Sequence, residues 1–156
     1  MNRARRTVAK AAAAAAGLTM AALGIPAAAH AVTPYGNFEM QIQGRYDFHT
    51  WLWAVSRCRP EDPVDCLQIQ GIPQPNARAF PYKADANLVD GRYVLAIDMP
   101  EGLRCGNVYY GPVIPTRDVY SWDPVTLEGE MNSSFAVGCD GAPGGTFTYP
   151  FRLVRL

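Results

Sequence analysis

The stretch Asn87-Leu88-Val89-Asp90-Gly91-Arg92-Tyr93-Val94-Leu95-Ala96-Ile97-Asp98 decides how this chain folds. Asp-Gly between two strand-like runs is the strongest short-range hairpin signal, because a tight two-residue turn needs positive φ at both positions. Beyond it, Tyr93, Leu95 and Ile97 share one face of an alternating strand. The same period of two recurs in both directions. Phe38, Met40 and Ile42 alternate with Glu39, Gln41 and Gln43. Within 45–58, Trp51, Trp53 and Val55 fall on one face, and Tyr46, Phe48, Thr50, Leu52 and Ala54 on the other. Further strands are expected over 65–72, 103–110, 118–122, 126–131, 133–137 and 145–156, and a short edge strand over 78–82, where Pro81 interrupts the run. Twelve prolines between positions 34 and 150 leave few windows for a helix. About ten strands separated by turn residues predict an all-β domain, a small antiparallel sandwich or barrel.

The first 31 residues read differently. Arg3, Arg5, Arg6 and Lys10 precede an uncharged, alanine-rich run that ends in Pro26 and in Ala29-His30-Ala31. A basic start, an apolar middle and a small-x-small close describe a cleaved secretory signal, with cleavage expected after Ala31. Ala27-Ala28-Ala29 is the competing site. Residues 11–29 are barely long enough to serve as an anchor, and alanine is a weak membrane residue, so no stable span is expected after cleavage. Arg5-Arg6 also fits a twin-arginine signal, which leaves the export route open between the two. The expected organisation is a signal peptide over 1–31 and a single secreted β domain over 32–156, working outside the cell or in its envelope.

The whole chain of 156 residues balances 14 basic against 14 acidic side chains. Four of those bases and none of the acids belong to the signal, so the remaining domain carries 10 bases against 14 acids, a net of −4, with Lys83 its one lysine. Such a balance argues against nucleic acid as a partner. An aromatic complement of 6 Phe, 3 Trp and 8 Tyr argues for a packed core.

Cys58, Cys66, Cys105 and Cys139 form an even set in a small exported chain, which reads as two disulfides. Four cysteines allow three pairings. Cys58 and Cys66 flank the turn-like Arg59-Pro60-Glu61-Asp62-Pro63-Val64-Asp65, which favours a local bridge there and leaves Cys105 with Cys139. A zinc site needs clustered thiolates or imidazoles, and neither a CxxC pair nor a Cys/His cluster is present, so no metal and no cofactor is expected.

Chemistry-bearing groups are few. Asp47 and His49 share a strand face, but no GxSxG elbow supplies a nucleophile. Glu128 and Glu130 share a face near Asp123, the raw material for glycoside hydrolysis, although solvated acids on an outer strand face are the commoner arrangement. No phosphate-binding loop is present. The most suggestive group is aromatic: Trp51, Trp53, Tyr120 and Trp122, with Tyr109-Tyr110. Aromatic side chains at this density pack a core, line a ligand cavity or anchor an interface.

Trp51-Leu52-Trp53, Cys58, Cys66, Asp90-Gly91-Arg92-Tyr93, Cys105-Gly106-Asn107, Ser121-Trp122-Asp123-Pro124, Thr126-Leu127, Gly129, Cys139 and the closing Phe151-x-Leu153 together resemble a group of exported mycobacterial-type (actinobacterial) proteins of unknown function. The resemblance implies a secreted β domain with paired cysteines and carries no catalytic residue with it. The expectation is therefore a non-catalytic binding or interaction module, its partner an unknown protein or an apolar ligand. The rivals are a barrel carrying a lipid and a hydrolase built on His49 and the nearby acids.

Overall fold

A computed structural model describes residues 34–45, 51–63, 65–73, 80–107 and 111–156. Eight strands follow one another along the chain: β1 Gly36–Ile42, β2 Trp51–Arg57, β3 Cys66–Pro73, β4 Tyr82–Val89, β5 Arg92–Arg104, β6 Val113–Trp122, β7 Glu128–Val137 and β8 Pro143–Arg155. Each pairs antiparallel with the next, and β8 returns to β1, closing an up-and-down barrel. Among the described residues the only helical pieces are 3-10 turns at Cys105–Asn107 and Cys139–Gly141. The Asp90-Gly91 hairpin forms as the sequence requires, with φ of 49° and 79° at its two central residues.

Of the two expected architectures the chain adopts the barrel. Three segments differ from expectation. The two strands expected over 126–131 and 133–137 are one continuous β7, because the polar run Asn132-Ser133-Ser134 belongs to the strand: Ser133 faces a buried carboxylate, while Asn132 and Ser134 bond Thr148 and Thr146 across the outer face. Strand β5 ends at Arg104, and Cys105–Asn107 is a 3-10 turn where a strand was expected. Strand β4 starts at Tyr82, where the expected edge strand ended. Its inward residues after Tyr82 are Ala84 and Ala86, too small to register as an apolar face.

Those small residues have a packing reason. An eight-stranded barrel is just wide enough for side chains to fill, so bulky residues on one strand need small ones opposite. Strand β2 sends in Trp51, Trp53 and Val55, and β3 and β4 answer with Gly71, Ala84 and Ala86. Gly71 stands between Trp53 and Tyr82 in the cross-strand register. A Cβ there would lie 2.3 Å from the Tyr82 ring, so glycine is what lets that ring lie flat across β3. The outer face carries Gln70, Lys83, Asp85, Asp98, Arg117, Glu130 and Arg152, all exposed. A barrel that spans a bilayer wears the opposite pattern, apolar outside. No helix among the described residues is long and apolar enough to cross a membrane.

The two ends of the barrel differ. The connections 58–65, 90–91 and 123–127 leave from one end, which also holds the start of β1 and the close of β8; it is called the turn end below. The connections 43–50, 74–81, 105–112 and 138–142 leave from the other, the loop end. One disulfide serves each. Cys58–Cys66 staples the β2–β3 connection at the turn end, and Cys105–Cys139 ties two connections together at the loop end. This is the pairing expected from the turn-like segment between Cys58 and Cys66. The expected signal over 1–31, its cleavage point at Ala31, and Asp47, His49, Tyr109 and Tyr110 lie outside the described residues.

Candidate functional site

The four aromatics singled out in the sequence meet inside the barrel. Trp53 is fully buried, and its ring packs edge-on against Tyr120 at 5.3 Å, Trp122 at 5.3 Å and Phe151 at 5.9 Å. Trp122 stacks on Tyr93 at 5.5 Å below it. Trp51 sits one level nearer the loop end, tilted against Tyr82 at 5.2 Å. At the turn end the space left between Val55, Leu67, Trp122 and Leu153 is about 10 Å³, room for no ligand. Trp53, Tyr120 and Trp122 are thus core, and the turn-end half of the barrel is filled.

Above this plug the interior turns polar. On β6 the inward positions run Trp122, Tyr120, Asp118, Thr116, so alternation that places two aromatics inside also carries a carboxylate inside. Asp118 is wholly inaccessible. Its Oδ1 accepts hydrogen bonds from Thr116 Oγ1 at 2.7 Å and Ser133 Oγ at 2.6 Å. Its Oδ2 faces the Arg45 guanidinium at 3.5 Å. Arg45 leaves the end of β1 through Gly44, whose φ is +77°, and reaches across the barrel to donate to the Gly102 carbonyl and to approach Met131 Sδ at 3.2 Å. Gly102 belongs to a register shift between Met99 and Leu103 that brings β5 against Thr116; a Cβ there would collide with the Thr116 side chain. A buried carboxylate demands such partners, since an unpaired one costs several kcal/mol.

A second polar chain meets the first. Trp53 Nε1 donates to the Tyr82 hydroxyl at 2.6 Å, and the Tyr82 and Tyr120 hydroxyls are hydrogen-bonded neighbours. Burial, then the adjacent Tyr120, pushes the Tyr82 phenol well above its usual range, against the opposing effect of the bond from Trp53. Burial also raises the Tyr149 phenol, with Arg45 acting to lower it and Asp118 to raise it. Both therefore stay neutral at physiological pH. The Trp51 indole is placed differently from that of Trp53. Trp51 is 3% exposed, and its Nε1 has no hydrogen-bond partner among the described residues.

Towards the loop end the inner wall opens. Along the inward positions of β8, Leu153 and Phe151 are buried, Tyr149 is half-buried and Phe147 is 46% exposed. Phe147 pairs in register with the interior Ser133, and its ring meets Phe135 at 5.3 Å and Tyr149 at 6.2 Å. Strands β7 and β8 thus raise an aromatic shelf above the polar floor. Nearby, a cleft of about 530 Å³ runs across β5, β6 and β7 between Met99, Ile114, Pro115, Phe135 and Val137.

The remaining candidates lie apart. Glu128 and Glu130 are exposed on the outer face of β7, Glu128 opposite Arg152 at a shallow cleft of about 390 Å³ with Gln41. Asp123 caps the β6–β7 turn, accepting from the backbone N–H of Val125 at 2.7 Å and Thr126 at 2.8 Å, and the Thr126 and Val125 N–H groups hold its carboxyl below the usual carboxylate range. The one grouping of metal-binding size among the described residues joins Asp85 to Cys58 and Cys66, whose sulfurs are bonded to each other and offer no thiolate. Sequence reasoning missed Asp118, Thr116, Ser133, Tyr82, Phe147 and Arg45. For Asp118 a signal existed, since it shares the parity of Tyr120 and Trp122 in Arg117-Asp118-Val119-Tyr120-Ser121-Trp122. No protein-family model matches the chain, and no curated protein or solved structure matches it.

Proposed function

We propose that the chain is an exported, non-catalytic binding module that receives a small ligand at the loop end of its barrel. The observation that carries this reading is the gradient along β8: inward-facing aromatics pass from buried at Phe151 to 46% exposed at Phe147, on the wall of a barrel whose turn-end half is filled. Exposed aromatic faces beside a few fixed polar groups are how ligand sites are built. The interior polar groups support binding over turnover, because Asp118 is already occupied by Thr116, Ser133 and Arg45. The basic, alanine-rich start of the chain, the two disulfides and the resemblance to exported mycobacterial-type proteins support an extracellular or envelope address.

The lipid-carrier alternative would have to hold its ligand in the loop-end half alone, since aromatic rings fill the other half. A ligand-observed NMR screen of small metabolites and lipids against the protein and its Phe147→Asp variant tests the reading. Hits that vanish in the variant support a loop-end site. Hits that bind both forms equally put the site elsewhere, and hits confined to long acyl chains favour the carrier.

A further inference from the structure

Strands β6 and β7 run on past the end of their own ladder. The last pair between them is Arg117↔Ser134, yet β6 reaches back to Val113 and β7 continues to Val137. The cause sits on β5. Between the pairs Met99↔Thr116 and Leu103↔Ile114, Pro100, Glu101 and Gly102 of β5 face Pro115 alone. Surplus residues of this kind bend a strand and deepen its twist, and β6 follows β5 away from β7. The cleft of about 530 Å³ opens at this point. Both residues of the last pair line it, and so do successive residues beyond them, Ile114 to Thr116 on β6 and Phe135 to Val137 on β7. Successive residues of a strand point to opposite faces, so the cleft cuts into the seam itself instead of lying on one face of the sheet.

Two chemical properties of the seam say what belongs in it. The first is its backbone. On their far sides the strand ends are paired, Val113, Ile114 and Thr116 with β5, Phe135 and Val137 with β8. Among the described residues, nothing takes up the N–H and C=O groups that point across the seam. Such groups are obligatory hydrogen-bonders, and an apolar small molecule cannot satisfy them. The second is its side chains. Met99, Ile114, Phe135 and Val137 supply an apolar wall, while the polar residues of the lining are engaged with neighbours: Thr116 with Asp118, Ser134 with Thr146, and Arg117 with Asp98. An occupant that fits both brings main-chain amides together with uncharged, apolar side chains, which describes an extended polypeptide segment.

The two edges are not equal. Exposed strand edges are normally guarded by proline or by charge. Pro115 guards β6, since it has no N–H to donate. On β7 the edge runs Phe135-Ala136-Val137 with neither guard, and Val137 is 58% exposed. From the interrupted β6–β7 ladder, the cleft at its end and the unguarded β7 edge, we propose that this seam is a strand-addition site for an extended, uncharged apolar segment of a partner protein. The segment pairs with β7 at 135–137 and seats its side chains against Met99, Ile114 and Phe135. The site goes beyond the loop-end ligand reading and does not depend on it, although the Phe135 ring borders both the cleft and Phe147.

The probe is the peptide acetyl-Ser-Val-Thr-Val-Ser-amide, titrated into the ¹⁵N-labelled disulfide-bonded protein. Saturable amide shifts at Phe135, Ala136 and Val137 are expected, with slowed amide exchange on that edge. The same peptide N-methylated at every residue keeps its side chains and loses its donors, and should bind at least about tenfold more weakly. Val137→Lys places a charge on the edge and should weaken the parent peptide by a similar factor. Should that variant not fold, Ala136→Glu, also at an exposed position, serves the same purpose. Equal binding of both peptides overturns strand addition and makes the cleft a pocket for apolar side chains. Unchanged binding to the charged variant moves the peptide off this edge and overturns the site. No response at 134–137 to millimolar peptide overturns it too, and dimerisation that Val137→Lys abolishes would then make a second copy the occupant. None of these outcomes bears on Phe147→Asp, so the loop-end ligand reading stands or falls separately.

Discussion

Tyr82 joins the two layers of the barrel interior, since its ring packs on Trp51 while its hydroxyl accepts from Trp53. It can do so only because Gly71 lacks a side chain. Gly71→Ala is expected to cost about 1–3 kcal/mol of unfolding free energy in urea, since the ring held between two tryptophans has little freedom to retreat. In a Tyr82→Ala background the same change should cost far less, which separates the clash from any intrinsic strand effect. A neutral Gly71→Ala would contradict the packing described. The Tyr82 hydroxyl makes a second expectation. Folding raises its pKa, so the native state holds the proton more tightly than the unfolded chain. Stability is then full below the unfolded phenol's pKa near 10 and falls as pH rises past it, by roughly 1.4 kcal/mol per pH unit until the folded pKa is reached. Tyr82→Phe should cost about 1 kcal/mol at neutral pH, through the acceptor lost to Trp53, and should remove one phenol's share of the alkaline slope. Unfolding free energies measured from about pH 8 to 11 decide it, and equal slopes in both proteins would refute it. At this scale the sequence is only partly legible. Asp118 is visible as an acid on an aromatic face, whereas Arg45 is not, because a residue read as opening the strand over 45–58 instead sends its side chain into the barrel from just beyond the end of β1.

At the level of elements, the period of two located most strands, and the errors share a cause. Alternation reports burial only where the inside is apolar, and this barrel is polar over part of its height and lined by small residues on β4. Ser133 is buried but polar, so its inward position does not show in the pattern, and Ala84 and Ala86 face inward but read as nothing in particular. Pro150 lies within β8, and the pairing of β8 with β1 extends only as far as Phe151, so its missing N–H falls just beyond that ladder. Turns are more legible, because their chemistry is local. In the β6–β7 connection Asp123 bonds two successive backbone N–H groups, and Leu127 takes a φ of +60° to bring the chain back. Asp123→Ala is expected to lower the thermal midpoint at neutral pH by removing that cap. Folding depresses the Asp123 pKa, so its contribution is present above the unfolded value and is lost as pH falls through the folded one. The difference between the two midpoints should therefore shrink as the pH is lowered below about 3.8. A difference independent of pH would point to lost backbone rigidity rather than the carboxylate.

For the molecule as a whole, each described strand pairs with both of its neighbours, and the closed barrel divides labour between two ends. The turn end is filled and short-looped, and its disulfide spans 8 positions within a hairpin already held by a seven-pair ladder. The loop-end disulfide spans 34 positions and ties the β5–β6 connection to the β7–β8 connection, holding the β5–β6 hairpin to the β7–β8 hairpin that carries the aromatic shelf. Loop-closure entropy assigns about 2.5 kcal/mol to the shorter bridge and about 4 kcal/mol to the longer. Replacing Cys105 and Cys139 by serine should therefore lower urea stability by more than replacing Cys58 and Cys66, by roughly 1 kcal/mol. The two changes should also differ in kind. Without Cys105–Cys139 the hairpins lose their tie, so ligand affinity at the loop end should drop and amide exchange around Phe135 and Phe147 should quicken. Without Cys58–Cys66 the protein should be less stable with its binding unchanged, because the aromatic plug isolates the turn end from the shelf. Equal losses of affinity in the two variants would mean that the ends are mechanically coupled through the plug, and the division of labour between them would fail.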